Sequence, residues 1–196
     1  MEKYTIIRNA VHPHVLSIAR HAMLIMKETR YHTNQVDPKN TTYFSQEEIT
    51  PNCFPAYGTP ATESIMAAIQ PFIEEITGKT LFPTYSYGRI YWNGSEMRKH
   101  IDRPSCEYSV TLCISIDNEP WPIWIDNTEV LLQPGDMMVY KGMESEHWRE
   151  PYKGNEQIQL FFHYVDANGP YAHCRFDYRP MLGLPAKARV ARKIQR

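Results

Sequence analysis

Apolar residues recur at helical spacing in two stretches of the N-terminal part of the chain. The first runs from about Pro13 to Glu28 and has a wide apolar face, with proline near its first turn, a position that tolerates the missing N–H group. The second, TPATESIMAAIQPFIEEITGK, repeats this spacing; Pro71 should kink it and Gly78 should end it. The pattern therefore predicts two helices before residue 80.

Between these helices lies a long polar stretch that contains prolines, YHTNQVDPKNTTYFSQEEITPNCFPAYG (residues 31–58). Connections of this length without secondary structure of their own are uncommon and often have a function. This segment could form a lid over a site or a plain connecting loop, and the sequence does not decide between the two.

From Leu81 onward the apolar period changes to two. Short runs such as TYSYGRIYW, CEYSVTLCISI and EQIQLFFHYVD are separated by turn sequences that include Asn-Gly and Pro-Gly-Asp. Regularly spaced short strands predict an antiparallel sandwich or barrel. Together with the two helices, they predict an α+β fold in which the helices support one sheet. We expect one domain over residues 1–196, with helical support in 1–80, the β core in 81–166 and an extension in 167–196.

Composition narrows the class of protein. Hydrophobic residues make up 42% and the formal net charge is −1, which indicates neither disorder nor a nucleic-acid surface. No apolar run is long enough to cross a bilayer, and the first residues lack the pattern of a signal peptide. The four cysteines form no C-x-x-C pair and are typical of reduced thiols. We therefore expect a cytoplasmic protein without a nucleic-acid or membrane partner, and its basic end, LGLPAKARVARKIQR, is interpreted as a frayed tail rather than a nucleic-acid arm.

Candidate chemistry is concentrated around the stretch RKHIDRPSC. His100 and Asp102 are two residues apart, so on a strand both side chains would point to one face. His147 follows the later strand and turn LLQPGDMMVYKG. Two histidines and one carboxylate on one face of an octahedral metal leave positions open, as a non-haem Fe(II) oxygenase requires, whereas the spacing does not suit zinc.

Residues 80 to 166 resemble the double-stranded β-helix (jelly-roll, cupin-like) core of the Fe(II)- and 2-oxoglutarate-dependent dioxygenases, in the prolyl-4-hydroxylase-like branch. The matching pieces are YGRIYWNGSEMRKHID, EYSVTLCISI, LLQPGDMMVYKGMESEHWRE and QIQLFFHYVD. The resemblance implies that His100, Asp102 and His147 are the iron ligands and the catalytic centre, with 2-oxoglutarate as cosubstrate and O2 as oxidant.

The cosubstrate site departs from the family pattern. Family members place a basic residue about ten positions after the distal histidine to pair with the distal carboxylate of 2-oxoglutarate, and here that position is Gln157. Arg149 shares the face of His147, and Tyr91 matches a tyrosine that often binds the same carboxylate. We expect Arg149, Tyr91 and Gln157 to bind the cosubstrate, although a surface salt bridge of Arg149 to Glu146 or Glu150 is the alternative.

The resemblance implies hydroxylation of a small molecule, an amino acid or a prolyl peptide. Because Asp102 is retained as a ligand, hydroxylation or another oxidation is expected rather than halogenation. Arg103 has two interpretations, a pairing with Glu107 and a contact with an anionic substrate. Two other functions stay open: a cupin-like metalloprotein that acts without 2-oxoglutarate, and a binding module whose histidines are structural. Sequence alone fixes neither the substrate nor the oligomeric state.

Overall fold

The computed structural model describes residues 3–36 and 50–189. It contains two α-helices, α1 (Pro13–Val36) and α2 (Pro60–Thr77), and short 3-10 helices at Pro104–Cys106, Ala172–Tyr178 and Ala186–Ala188. The strands are β1 (Tyr4–Ile7), β2 (Cys53–Tyr57), β3 (Leu81–Trp92), β4 (Met97–His100), β5 (Tyr108–Ile116), β6 (Ile123–Ile125), β7 (Thr128–Val130), β8 (Met137–Tyr140), β9 (His147–Arg149) and β10 (Glu156–Asp166).

The strands form two antiparallel sheets. The larger has the order β1-β8-β5-β10-β3-β2, and the smaller has the order β4-β9-β6-β7. Strand β10 lies in the middle of the larger sheet and is buried from Gln157 to Asp166. Two sheets and two α-helices confirm the predicted α+β class, but residues 1–80 also contribute β1 and β2, which form the two edges of the larger sheet.

Successive side chains along the strands of the larger sheet point to opposite faces, and each face packs into its own apolar layer. One set of alternate residues, including Val110, Leu112 and Leu160, packs with Met23 of α1 and Met66 of α2. A second cluster contains Met97 and Ile123 of the smaller sheet together with residues of the larger sheet, Cys113, Met138 and Tyr140. The helices therefore cover one face of the larger sheet, while its other face meets the smaller sheet.

The ends of α2 follow from local chemistry. The Thr59 side chain accepts a hydrogen bond from the backbone N–H of Thr62 and caps the first turn. Gly78 ends the helix in the left-handed conformation (φ 68°), and its N–H donates to the Glu74 carbonyl. The predicted stop at Gly78 is confirmed, but the helix continues through Pro71 as one element.

Helix α1 is longer than predicted, because it reaches Val36 rather than ending near Glu28. The candidate lid, residues 31–58, consequently begins inside this helix, and its last part contains β2. Residues 37–49, on which that interpretation mainly rests, lie outside the described residues. In the described part of the chain, neither helix is both long and apolar enough to cross a membrane.

The interpretation of the basic end as a frayed tail is wrong for residues 182–189. The backbone N–H of Gly183 donates to the Glu63 carboxylate. Arg189 forms an ion pair with Asp177, whose side chain is fully buried. These contacts hold the C-terminal segment (residues 172–189) against α2 and the start of β3, whereas residues 190–196 lie outside the described part of the chain.

Candidate active site

His100 and His147 face each other across the smaller sheet. They are direct partners in the antiparallel register of β4 and β9, and their ring centroids are 4.3 Å apart. His147 also pairs with Ile125 of β6 on its other side, so it lies in the interior of the sheet. Its burial lowers the pKa of the imidazole, which favours the neutral form that binds metals.

Both histidines present the same ring nitrogen to the centre of the site. The Nδ1 atom of His100 donates to the Arg98 carbonyl at 2.7 Å, and Nδ1 of His147 donates to the Ser145 carbonyl at 3.0 Å. A carbonyl oxygen can only accept, so each Nδ1 carries a hydrogen, and in the neutral imidazole this leaves the lone pair on Nε2. Such backbone contacts fix the tautomer and ring orientation of metal-binding histidines.

Asp102 reaches the same point from a loop. The prediction that it shares a strand with His100 is wrong, because β4 ends at His100. Its backbone N–H instead donates to the Gly142 carbonyl at 2.9 Å, and Ser109 Oγ donates to its Oδ2 at 2.8 Å. Oδ1 is thereby left to face the histidines, at 3.7 Å from Nε2 of each.

Gly142 makes this arrangement possible. A Cβ atom at this position would lie closer than 3.0 Å to Asp102 Oδ2, to the Cys106 carbonyl and to Ser109 Oγ. The absence of a side chain lets the strand-to-turn backbone approach the carboxylate directly. The position of Asp102 therefore depends on a glycine 40 residues away in the chain (142 − 102).

The three predicted ligands can hold one metal ion. One ligand atom from each of His100, Asp102 and His147 lies within 4.8 Å of the others. An ion with bonds of about 2.1 Å can join atoms separated by up to about 4.2 Å, so the two 3.7 Å separations fit a shared ion. The sequence-predicted triad is thus brought together by the fold.

The triad lies at the wall of a cavity of about 270 Å³. Further lining residues come from β3, β10 and the loop after β4, and the charged ones besides the triad are Arg89 and Arg103. Aromatic side chains cover much of the remaining wall, namely Tyr85, Tyr87, Tyr140 and Phe161. The cavity therefore combines a metal-binding edge with an aromatic and cationic wall.

Arg149 is buried, not on the surface. Only 2% of the residue is exposed, its Nη1 donates to the Trp121 carbonyl at 2.5 Å, and its guanidinium lies over the Trp121 ring. The alternative of a salt bridge to Glu146 or Glu150 is wrong, because Glu146 pairs with Lys99 and Glu150 accepts from Trp148. Its Nε and Nη2 atoms are buried, and among residues 3–36 and 50–189 they have no hydrogen-bond partner.

Tyr91 and Gln157 lie opposite each other in the register of β3 and β10 and are both buried. The Gln157 amide donates to Gln159 Oε1 at 3.1 Å, while its own Oε1 atom is buried and has no hydrogen-bond partner in the described part of the chain. Burial raises the pKa of Tyr91, and the nearby positive charge of Arg149 acts in the opposite direction. The three residues predicted to bind the cosubstrate therefore occur in one buried region, where unpaired polar atoms are left on Arg149 and Gln157.

Arg103 is paired, but not with Glu107. Its Nη1 and Nη2 atoms donate to the two carboxylate oxygens of Asp177 at 2.7 and 2.9 Å, and Glu107 accepts from the Asp166 backbone instead. The hydroxyl of Tyr57 donates to the same carboxylate at 2.5 Å. The C-terminal segment therefore positions the residue that follows the candidate metal ligand Asp102.

Sequence reasoning missed Ser109, Tyr140 and Asp177. The Tyr140 hydroxyl is 3.5 Å from His147 Nε2, and Ser109 reaches both Asp102 and His163. Tyr140 and Ser109 were detectable in principle, since they occupy inward positions of predicted strands. Asp177 gave no such signal because it lies between Phe176 and Tyr178 in three consecutive left-handed residues, outside any periodic pattern.

The cavity contains a second group of possible ligand atoms. Asp102, Cys106 and His163 also bring one ligand atom each within 4.8 Å of the others. This group shares Asp102 with the triad, and burial raises the pKa of the Cys106 thiol well above its usual range, which disfavours the thiolate that binds metals. His100, Asp102 and His147 are the better candidate metal centre.

No protein-family model matches the chain, and no curated protein matches its sequence. Solved structures match its fold. A viral collagen prolyl hydroxylase from Paramecium bursaria Chlorella virus-1, in complex with 2-oxoglutarate, has a TM-score of 0.59 at 10% identity, over 83% of this chain and 96% of that one.

Two further prolyl hydroxylases give the same result. A Pseudomonas putida prolyl-4-hydroxylase has a TM-score of 0.58 at 15% identity, over 84% of this chain and 92% of that one. A Trichoplax adhaerens prolyl hydroxylase, in complex with a hypoxia inducible factor peptide, has a TM-score of 0.65 at 12% identity, over 85% of this chain and 84% of that one. The chain therefore has the fold of the prolyl hydroxylases, at a sequence identity of 15% or less to these three.

Proposed function

We propose that this protein is a non-haem Fe(II)- and 2-oxoglutarate-dependent oxygenase that acts as a hydroxylase. The observation that carries the proposal is the convergence of His100 Nε2, His147 Nε2 and Asp102 Oδ1 on one point at the wall of a cavity. Two imidazoles and one carboxylate that leave positions open are the ligand set of Fe(II) oxygenases. The two-sheet core would be a double-stranded β-helix within a single domain.

The ligand set fits iron by its own chemistry. Both histidines are oriented by a hydrogen bond from Nδ1, which leaves Nε2 of the neutral ring for the metal, and Asp102 keeps one oxygen for the metal while Ser109 binds the other. When bound, iron and 2-oxoglutarate use O2 to release succinate and CO2 and to oxidise a C–H bond. The protein binds and orients the reactants and keeps water out of the site, and the aromatic wall of the cavity suits the exclusion of water.

Arg149 supports 2-oxoglutarate as the cosubstrate. A buried guanidinium whose Nε and Nη2 donors have no partner is costly unless an anion completes the site. Neighbouring guanidinium N–H groups match the two oxygens of a carboxylate, which makes the contact both strong and geometrically specific. We assign the distal carboxylate of 2-oxoglutarate to Arg149, with Tyr91 and Gln157 in the same region.

This assignment explains how the chain manages without a basic residue at position 157. The cation comes from β9, two residues after the metal ligand His147, instead of from β10. An extended strand rises about 3.3 Å per residue, so two residues span about 6.6 Å, which suits a short dicarboxylate joining the metal to the cation. The same unpaired cation weighs against a cupin-like metalloprotein that has no anionic cosubstrate.

The proposal is tested by adding Fe(II) and then 2-oxoglutarate to the protein without oxygen. A metal-to-ligand charge-transfer band in the visible spectrum is expected only when both are present. Metal binding without the band would favour the cupin-like alternative, and no stoichiometric metal would favour a binding module. Succinate release across a panel of amino acids, small metabolites and prolyl peptides would then identify the substrate class.

A further inference from the structure

Ser109 connects the metal ligand Asp102 to His163, which belongs to neither the triad nor the cosubstrate region. Ser109 Oγ lies 2.8 Å from Asp102 Oδ2, 3.3 Å from the Cys106 carbonyl oxygen and 3.0 Å from His163 Nδ1. The carboxylate and the carbonyl can only accept hydrogen bonds. Ser109 therefore donates its single hydroxyl hydrogen to one of these two oxygens.

This direction fixes the tautomer of His163. Because the Ser109 hydrogen points away from the ring, Nδ1 must donate to Ser109 Oγ and must carry the imidazole hydrogen. Nε2 is then a lone-pair acceptor. Burial lowers the pKa of His163 to about 4, which keeps the ring neutral near pH 7.

The ring is held in place and borders the cavity. His163 is 6% exposed and its ring is 4.5 Å from that of Tyr85, and both residues line the cavity. Its Nδ1 edge is bound to Ser109, and among the described residues none donates to Nε2. Nε2 is thus a fixed acceptor that no protein donor occupies.

His163 is far from the cosubstrate end of the site. On β10 it pairs with Tyr85 and Ser109, whereas Gln157 pairs with Tyr91 six residues earlier (163 − 157). Six residues at about 3.3 Å each separate the two positions by roughly 20 Å along the strand. Yet a ligand atom of His163 lies within 4.8 Å of one from Asp102, so the ring is close to the metal ligands.

We propose that His163 Nε2 accepts a hydrogen bond from an N–H or O–H group of the substrate, close to the carbon that is oxidised. The inference rests on the proposed function and narrows its substrate class to alcohols, amines and amides that carry such a donor. An acylated proline ring has no hydrogen on its nitrogen and would leave Nε2 without a partner. Sites that hydrogen-bond a substrate reject analogues without the matching group strongly.

The tautomer is measured directly by NMR on protein labelled with 15N-histidine, first without metal and then with Zn(II). Long-range 15N–1H correlations should show Nδ1 protonated and Nε2 bare for His163, with the resonances assigned by comparison with a His163→Gln sample. Ser109→Ala removes the acceptor of the Nδ1 hydrogen, so in that variant His163 should show a mixture of both tautomers. A protonated Nε2 in the wild-type protein would overturn the proposal.

Access to the lone pair is tested with two matched neutral probes. N-methylacetamide carries an N–H donor, and N,N-dimethylacetamide does not. The first should move the His163 Nε2 resonance upfield and the second should leave it in place. Equal shifts from both probes, or no shift from either at any concentration that the fold tolerates, would contradict the proposal.

Once a substrate is known, two substitutions separate the two ring nitrogens. His163→Gln places an amide oxygen near the position of Nε2, whereas His163→Asn places its amide near Nδ1 and leaves the cavity side without an acceptor. We expect kcat/KM to fall by roughly ten- to a hundredfold in His163→Asn and much less in His163→Gln. Equal losses would contradict the assignment. Because the NMR measurements need neither iron nor turnover, their failure is distinguishable from failure of the proposed oxygenase function.

Discussion

His100 lies directly opposite His147 in the register of β4 and β9, with 4.3 Å between the ring centroids. Cross-strand partners in an antiparallel pair have adjacent side chains on one face, so the sheet itself brings the two imidazoles together. The two histidines of the candidate metal centre therefore belong to the regular structure, and of its three residues only Asp102 depends on a loop. This difference determines how each ligand responds to substitution.

Removing either histidine should abolish stoichiometric metal binding and leave the fold intact. Two remaining ligands hold a divalent ion far more weakly than three. His147 is buried against the ring of Tyr140, but it belongs to neither of the two apolar clusters, so His147→Ala should cost some stability without unfolding the protein. His100→Ala and His147→Ala should each lower Fe(II) or Co(II) content from about one per chain to near zero, as measured by elemental analysis with circular dichroism as the check on folding. His21→Ala is the control, because His21 is exposed on α1 and bonds only to the Ser17 carbonyl. Full metal content in both site variants would rule out the triad.

Gly142→Ala should displace Asp102 without changing any ligand. The new Cβ would lie closer than 3.0 Å to the Asp102 carboxylate, the Cys106 carbonyl and Ser109 Oγ, and the Cys106 carbonyl belongs to the backbone. We expect a loss of metal affinity of at least tenfold, in the range seen when partners of metal ligands are removed. Isothermal titration with Zn(II) measures it.

Gly88→Ala is the matched control for that substitution. There the nearest atoms are the flexible thioether of Met23, on the face of the sheet covered by α1. It should lower thermal stability and leave the metal affinity unchanged. Equal metal affinity in Gly142→Ala and the wild-type protein would show that the loop does not depend on the glycine.

The closeness of His100, Asp102 and His147 could be predicted from their order and spacing, although Asp102 reaches the site from a loop and not through strand alternation. Asp177 was not predictable, because it contacts Arg103 from 74 residues away and lies outside any strand or α-helix. Arg149 shows the same limit: parity placed it on the face of His147, but its burial depends on Trp121, which belongs to another loop.

Replacing Arg149 by methionine should weaken 2-oxoglutarate binding and stabilise the cosubstrate-free protein. Truncating one partner of a buried charge pair lowers affinity by roughly 30-fold or more. A buried guanidinium with two unpaired donors lowers the stability of the free protein, so an apolar side chain of similar length should raise its melting temperature. Titration of the Fe(II) protein without oxygen, followed by thermal melts with and without 2-oxoglutarate, measures both effects.

Two further variants make that test specific. Arg103→Gln removes another cavity arginine, but one already paired with Asp177, and should leave 2-oxoglutarate affinity unchanged. Arg149→Met combined with Gln157→Lys restores a cation at the position that the resembling family uses, and should recover part of the affinity. Unchanged affinity in Arg149→Met would remove Arg149 from the cosubstrate site.

Asp177→Asn should lower stability substantially near neutral pH and much less in acid. The carboxylate is fully buried and binds Arg103, Arg189 and Tyr57. Burial alone raises its pKa, but Arg103, Tyr57 and Arg189 together outweigh that effect and hold the pKa well below its usual range. Neutralising one partner of a fully buried ion pair costs about 3–5 kcal/mol, and because the side chains of Arg103 and Arg189 are 43% and 41% exposed, solvent screening should keep the cost below that range.

The pH dependence follows from the direction of this pKa shift. A carboxyl group with a depressed pKa in the folded state contributes stability that is fully present above its unfolded value of about 3.9 and is lost as the pH falls toward the folded value. The difference in unfolding free energy between the wild-type protein and Asp177→Asn should therefore be constant from about pH 5 to pH 8 and shrink below about pH 4. Urea denaturation at several pH values measures it.

Asp126→Asn provides the control for backbone conformation and exposure. Asp126 also has a positive φ (45°), which asparagine tolerates, and it also pairs with a cation, Lys3. Its side chain is 28% exposed and that of Lys3 is 62% exposed, so its loss should cost less than about 1 kcal/mol. If Asp177→Asn were no more costly than Asp126→Asn at pH 7, the C-terminal segment would not be held by its buried carboxylate, and the position of Arg103 beside the metal site would need another cause.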